Sequence, residues 1–433
     1  MGTSSSFENK RLVCILGAVV LAASGAAGEA PSGLPQNAAL VYYQACLFRH
    51  LYLKPPAGFD PSLSTTAEPD SDPNKTITAF VRSPDYQFLI ELVTAASRLP
   101  QCDWGLVHRL RQSVPTGVMA GVRDLTYFLI VQAKVSACDG QYRAVLENAL
   151  TLRRIARHLG HQTLNMHIQA ESTNALAFDL IRYVLGKMPP DVETLTWLQQ
   201  QLAAGGEMEW RPRETLPKWI DWEVQCLQAS PDVLAGEIRS PALRRKTEGL
   251  TEVQVMERAR QAWEEVFKSV LDVLEGERSP FDKSHALGQL AMKASLKMAG
   301  AEAILEVWDG ETPSPEEKER EIKRLMLEQR KNPAHDPMWL LGYLQGAVDS
   351  YSRYAHLRAR VHAVRAAIAV YLIKAKTGQL PQTLPADLPK DPYTGKDFEY
   401  YQATERWFIL RCRGVFAGQT LNGELLQFEF QVK

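Results

Sequence analysis

Apolar residues recur along most of the chain at the three- and four-residue steps of an amphipathic helix. The clearest stripe is Tyr142, Val145, Ala149, Leu152, Ala156 and Leu159, bounded by the Asp139-Gly140 turn and by Gly160. In a helix such steps bring every apolar side chain to one face, so this segment predicts a helix resting on a core. Helical spacing also runs from Gly117 to Cys138, a further amphipathic segment reaches about Lys187, and Pro189-Pro190 opens another. Connections this short make successive helices antiparallel neighbours. Upstream, Asn37 is placed to cap a helix carrying Leu40, Tyr43 and Leu47. Ser83-Pro84 supplies an N-cap with proline at the first helical position, for a helix reaching Leu99 before Pro100.

Between these elements the pattern breaks. Pro55 to Thr76 is dense in Pro, Ser, Thr and Asp and lacks periodicity, which predicts an exposed loop over 55–76. Downstream, helices are expected from Thr251 to Leu274 and from about Ser284 to Trp308. The capping box Ser314-Pro315-Glu316-Glu317 opens a charged one. The last long helix is expected from about Tyr351 to Lys376, with Tyr354, Leu357, Val361, Val364, Ile368 and Leu372 as its buried stripe and Gly378 as its stop. Pro381, Pro385, Pro389 and Pro392 then exclude helix. Alternating runs at Asp397–Tyr401, Trp407–Cys412 and Leu425–Val432 read as short antiparallel strands. The expected fold class is therefore mainly α: an antiparallel helical-hairpin array with a small C-terminal antiparallel β (α+β) minidomain.

The first residues follow another pattern. A polar start ending in Lys10-Arg11 precedes an apolar run from Leu12 to Ala23 and then the small residues Ser24 to Gly28. This is the layout of a secretory signal peptide, and the run falls short of the roughly 20 apolar residues of a membrane span. The expected organisation is a signal peptide over 1–28, a helical domain over 29–349, and a long helix with a strand-rich minidomain over 350–433. Export to the periplasm or the extracellular space is expected, with no stable membrane span after leader removal. A retained N-terminal anchor is the alternative.

Composition narrows the function classes. With 49 basic and 50 acidic residues the net charge is −1, so no overall positive field exists to draw nucleic acid. Arg353, Arg358, Arg360 and Arg365 share one helical stretch and read as a solvated or salt-bridged face. Nucleophile-elbow, phosphate-loop and dinucleotide fingerprints are absent from the sequence, and no cofactor is expected.

The candidate chemistry lies in His158, His161, His167 and Glu171. His167 and Glu171 are four apart on one helix face and could reach a common metal, with His158 or His161 supplied from the preceding helix end. A metal held there would lower the pKa of a bound water for hydrolysis. Helix-end capping is the competing role for His158 and His161. Of the cysteines, Cys102 and Cys138 each sit at a turn next to Asp, and a disulfide between them is the first pairing to expect after export. Trp210, Trp219 and Trp222 stand beside Arg211 and Arg213. They could face a carbohydrate, but their helical spacing favours core packing.

Two resemblances add to this picture. The run Thr377-Gly378-Gln379-Leu380-Pro381, Leu384, Pro389 to Gly395 and Phe398-Glu399-Tyr400 resembles the segment that follows the helix in type II secretion pseudopilins, over about a tenth of the chain. It implies a local helix-plus-small-sheet fold. The Asn37-Ala38-Ala39-Leu40 helix start, the Cys102-Asp103-Trp104-Gly105 element, the hairpins and the Gly…Pro…Asp-Pro…Gly tail resemble exported helical proteins of planctomycete-type bacteria, over most of the mature chain. That likeness implies fold and export and carries no activity. The expected function is an interaction or structural protein of the cell envelope with an unidentified protein partner there. A metal-dependent hydrolase and a secretion-system accessory are the alternatives.

Overall fold

The computed structural model describes residues 36–64, 75–105, 116–160, 164–206, 338–412 and 426–432, with scattered positions between 249 and 290. The expected leader, residues 65–74 of the expected loop, His161, the tryptophans at 210, 219 and 222, the helix from 284 to 308 and the capping box at 314 lie wholly or mainly outside the described residues. The helix expected from Thr251 is described as a continuous run only at 268–275, where it is helical.

The described part is mainly helical with a small three-stranded antiparallel sheet at its C-terminal end. Asn37 caps α1 (Ala38–Leu51), its side chain accepting from Ala39 N–H at 3.1 Å. A single helical turn, α2 (Pro61–Ser64), and α3 (Lys75–Val81) follow. Ser83 accepts from Tyr86 N–H to start α4 (Pro84–Arg98), with Pro84 at its first position. Then come α5 (Thr116–Cys138), α6 (Tyr142–Leu159) and α7 (Leu164–Lys187). In α8 (Val192–Ala204) the Asp191 carboxylate caps the N–H groups of Glu193 and Thr194. The last helix, α9 (Met338–Thr377), has 40 residues and is about 60 Å long at 1.5 Å per residue.

Two expectations change here. The segment 55–76 is not irregular throughout. Asp60 accepts hydrogen bonds from Ser62 N–H and Oγ, Pro61 starts α2, and that turn packs on α5. The last helix also begins thirteen residues before Tyr351, so position 350 falls inside α9.

Helix packing follows chain order. α1 packs on α4, α5 on α6, and α6 on α7. Gly121 lets α1 and α5 approach closely, because a Cβ there would lie 2.8 Å from Cys46 Sγ. Gly160 ends α6 at φ 56°, a backbone conformation that an L side chain resists, while its N–H still bonds Ala156 C=O. α9 enters from the far end of the sequence and packs on α7 and α8. Arg360 of α9 pairs with Asp179 of α7 at 2.8 Å, and the C-terminal ends of both helices meet the same residue. There Tyr371 Oη donates to Gln431 C=O, and Gly186 lies beneath that carbonyl. α7 and α9 therefore run parallel.

The sheet is β1 (Glu399–Thr404), β2 (Trp407–Arg411) and β3 (Gln427–Gln431), in that order. Phe408, Leu410, Phe428 and Phe430 point inward and join the helical core as one continuous cluster. Phe408 stacks on Phe430 at 5.2 Å and meets Tyr371 edge-on at 5.9 Å. Full burial of each such ring contributes about 1.5–3 kcal/mol. Among the described residues, no helix is long and apolar enough to cross a membrane.

Candidate functional site

Of the four proposed metal ligands, His161 lies outside the described residues, and His158 does not join His167 and Glu171 in a set of three. His158 sits in the last turn of α6, where its Nε2 is 3.0 Å from Leu99 C=O and its Nδ1 is 3.0 Å from Tyr42 Oη. A carbonyl only accepts, so Nε2 carries the proton and Nδ1 accepts from the tyrosine. The ring is neutral, and burial pushes its pKa down. Both nitrogens are thus used in joining α6 to α1 and to the end of α4.

His158 belongs to a larger knot. Its own C=O accepts from Trp104 Nε1 at 2.8 Å, and Trp104 stacks on Tyr42 with centroids 5.6 Å apart and planes 11° from parallel. Trp104 C=O accepts from Tyr43 Oη at 2.8 Å. The Asn37 side chain pairs with the Asp103 backbone like a second peptide, donating to its C=O at 2.7 Å and accepting from its N–H at 2.8 Å. The Asn-Ala-Ala-Leu and Cys-Asp-Trp-Gly elements singled out in the sequence therefore clamp one another.

His167 and Glu171 do come together, in the second and third turns of α7, with Nε2 3.1 Å from Oε1. Both are sealed in the core, at 0% and 3% exposure. Burial pushes the Glu171 carboxyl up, and His167 and then Arg353 of α9 pull it back in part. Among the described residues, no three His, Cys, Asp or Glu side chains gather as a set that could hold a metal ion.

The Cys102–Cys138 disulfide is corrected: the two are not bonded. Cys102 belongs to the knot at the C-terminal end of α6, beside His158, whereas Cys138 precedes the N-terminal end of the same helix. The sixteen residues from Tyr142 to His158 separate those ends by about 24 Å, and a disulfide needs Cα atoms within about 7 Å. The Cys102 thiol is pushed up to about 12, first by burial, and so is protonated at neutral pH.

A different constellation opens between α8, α9 and the proline-rich segment, as a groove of about 630 Å³. Gln199 and Gln200 come from α8, His362 and Arg365 from α9, and Asp387 from the segment. Leu202, Ile368, Leu388 and Pro389 supply apolar surface. His362 Nδ1 donates to Lys390 C=O at 2.6 Å, which leaves Nε2 as the ring's other polar atom. The segment's course is held by the buried Asp391, whose carboxylate accepts from Tyr393 N–H at 3.0 Å and Thr394 Oγ1 at 2.8 Å. Its N–H bonds Lys396 C=O at 2.8 Å, and Cys412 donates its thiol hydrogen to the carboxylate. A volume in the range of ligand sites, with one cation, one carboxylate, two amides and an imidazole around apolar walls, suits binding of a mixed polar and apolar group.

The sequence reading missed this groove. Its one available sequence signal is His362 and Arg365, three apart on the last helix, where the run of arginines reads as a solvated face. Asp387, Gln199 and Gln200 are too distant in sequence to have been grouped with them. The chain matches no family model, no curated protein and no solved structure.

Proposed function

We propose that the chain is an exported helical interaction protein of the cell envelope, with a protein partner seated in the groove between α8, α9 and residues 387–389. The groove carries the reading: three separate parts of the chain build it, and its lining mixes charged, amide and apolar groups. The leader pattern at Lys10 to Gly28 supports export. His158 acts as a helix-end fastener, and the sealed His167–Glu171 pair favours a packing role over hydrolysis, since a water nucleophile and a substrate would both have to reach it. A photo-crosslinking side chain at Gln200 in the native cell tests the proposal. One discrete envelope adduct, lost when Arg365 and Asp387 are both changed to Ala, is expected. Protein recovered from the cytosol with Met1 intact, or no adduct, would overturn it.

A secretion-system accessory is the second reading. It is supported by the long helix that leads through the Asp391 turn into a sheet packed back upon that helix. Identification of the Gln200 adduct decides between the two readings.

A further inference from the structure

The inward face of the sheet is fully used, but its outward face is not ordinary solvent-facing surface. Alternation along the strands brings Glu399 and Tyr401 of β1, Trp407, Ile409 and Arg411 of β2, and Gln427, Glu429 and Gln431 of β3 to that outer side. Two are large aromatics held in water, Tyr401 at 62% exposure and Trp407 at 42%. Tyr401 pairs across the strands with Ile409, and Trp407 lies two positions before Ile409 on β2. The two aromatic residues thus lie diagonally across β1 and β2, with the irregularity between Gln402 and Thr404 beside them.

A polar row borders this corner. Arg411 Nη2 donates to Gln427 Oε1 at 3.3 Å, and Gln427 Nε2 donates to Glu429 Oε1 at 3.2 Å. The strands beneath are fixed by Phe408, Leu410, Phe428 and Phe430 in the core, so aromatic residues and polar groups are presented on a rigid support.

We propose that this face is a binding platform for an uncharged β-1,4-linked polysaccharide chain. A pyranose with equatorial substituents presents flat faces of C–H bonds, which are drawn to the electron-rich face of an aromatic ring. Its hydroxyls project from the rim, where carboxylate and amide groups can accept and donate. A β-1,4 linkage keeps successive sugars extended, so one chain can lie along the diagonal of Tyr401 and Trp407 and reach the row of Arg411, Gln427 and Glu429. Charge favours a neutral chain, because Glu399 and Glu429 outnumber Arg411. Size argues against a protein: three strands of about five residues make a face of roughly 15 by 17 Å. A stable protein interface needs about 800 Å² from each partner. The platform lies on the opposite side of the sheet from α9, and it stands whether or not the groove binds a partner.

Electrophoresis of the full chain in native gels containing hydroxyethylcellulose, glycol chitin or polygalacturonate tests the assignment. Retardation is expected in at least one neutral polymer, and the polymer that acts distinguishes a glucose chain from an N-acetylated one. Trp407→Ala and Tyr401→Ala should each weaken it by about tenfold, near 1.4 kcal/mol. Trp407→Phe should retain most of it, and Leu47→Ala, at an exposed position of α1, should leave it unchanged. Both aromatic side chains are exposed, so the variants should melt with the parent, and Tyr401→Ala on the edge strand supplies an independent test should Trp407→Ala fail to fold. No retardation in either neutral gel, retardation in polygalacturonate alone, or variants that migrate with the parent would overturn the proposal. Self-association lost in Trp407→Ala, without glycan retardation, would assign the face to a second copy of the chain and overturn it equally.

Discussion

His158 and His167 lie nine positions apart, on either side of one interhelical turn, and the fold gives them opposite tasks. His158 is partly buried at a helix end, with both ring nitrogens satisfied by neutral groups from distant parts of the chain. His167 is wholly buried one turn into its helix, beside a carboxylate from its own next turn. One is a fastener between helices and the other belongs to a buried polar pair within a helix. Residue type and spacing made them look like members of one site; the direction each helix face points made them parts of two.

The largest effect should come from splitting the buried pair. His167→Leu leaves the Glu171 carboxyl in the core without its neighbour, at an expected cost of about 3–5 kcal/mol at neutral pH by chemical denaturation. Replacing both, as His167→Leu with Glu171→Met, should restore most of that loss, since a well-packed apolar pair leaves no buried polar group without its neighbour. A single variant within about 1 kcal/mol of the parent would show that the pair is not held as described. His158→Leu comes next, at about 2–3 kcal/mol, because it strips the partners from Tyr42 Oη and Leu99 C=O. Adding Tyr42→Phe should recover part of this, unlike the near-complete rescue expected at the buried pair.

Titration should separate the two sites by sign. The Glu171 carboxyl is raised in the folded protein, so its contribution is full below the ordinary unfolded value of about 4.3 and is lost as pH rises through the folded value. Glu171→Gln should therefore gain melting temperature relative to the parent on going from about pH 4 toward neutrality. The His158 imidazole is lowered, so its contribution is present above about pH 6.5 and is lost as pH falls through the folded value. The difference between the parent and His158→Leu should accordingly shrink on acidification. Parallel pH profiles for both variants would erase the distinction. A smaller effect, about 1 kcal/mol, is expected for Trp104→Phe, which keeps the stack on Tyr42 and removes the hydrogen bond to His158 C=O. Least of all is expected from zinc. One equivalent should leave the melting temperature unchanged in the parent and in His167→Ala alike, and a stoichiometric rise abolished by His167→Ala would restore the metal site.

Much of the helical part was legible. Asn37, Ser83 and the proline-marked entries to α4 and α8 locate helix starts, and Gly160 and Gly378 mark ends, because caps are local chemistry. The early start of α9 was not, since Gly342 and Gly346 weaken helix propensity before Tyr351. The α9 stripe was also drawn too narrow. Ala355, Ala359, Ala363, Ala366 and Ala367 are buried as well, because α7, α8 and the sheet surround the helix on several sides. Small residues give no amphipathic signal, yet they let neighbours approach.

The fold class, the order of the hairpins, the long final helix and the three strands can be read from local pattern, because periodicity, caps and turn residues act over a few positions. Only the tertiary structure decided that α7 and α9 run parallel, that the cysteine pair lies at opposite ends of a helix, and that Gln199, His362, Arg365 and Asp387 line one groove. Those outcomes depend on which helix faces meet between segments far apart in the chain. Burial drives that meeting, and it depends on the surface of the whole assembly more than on any one segment.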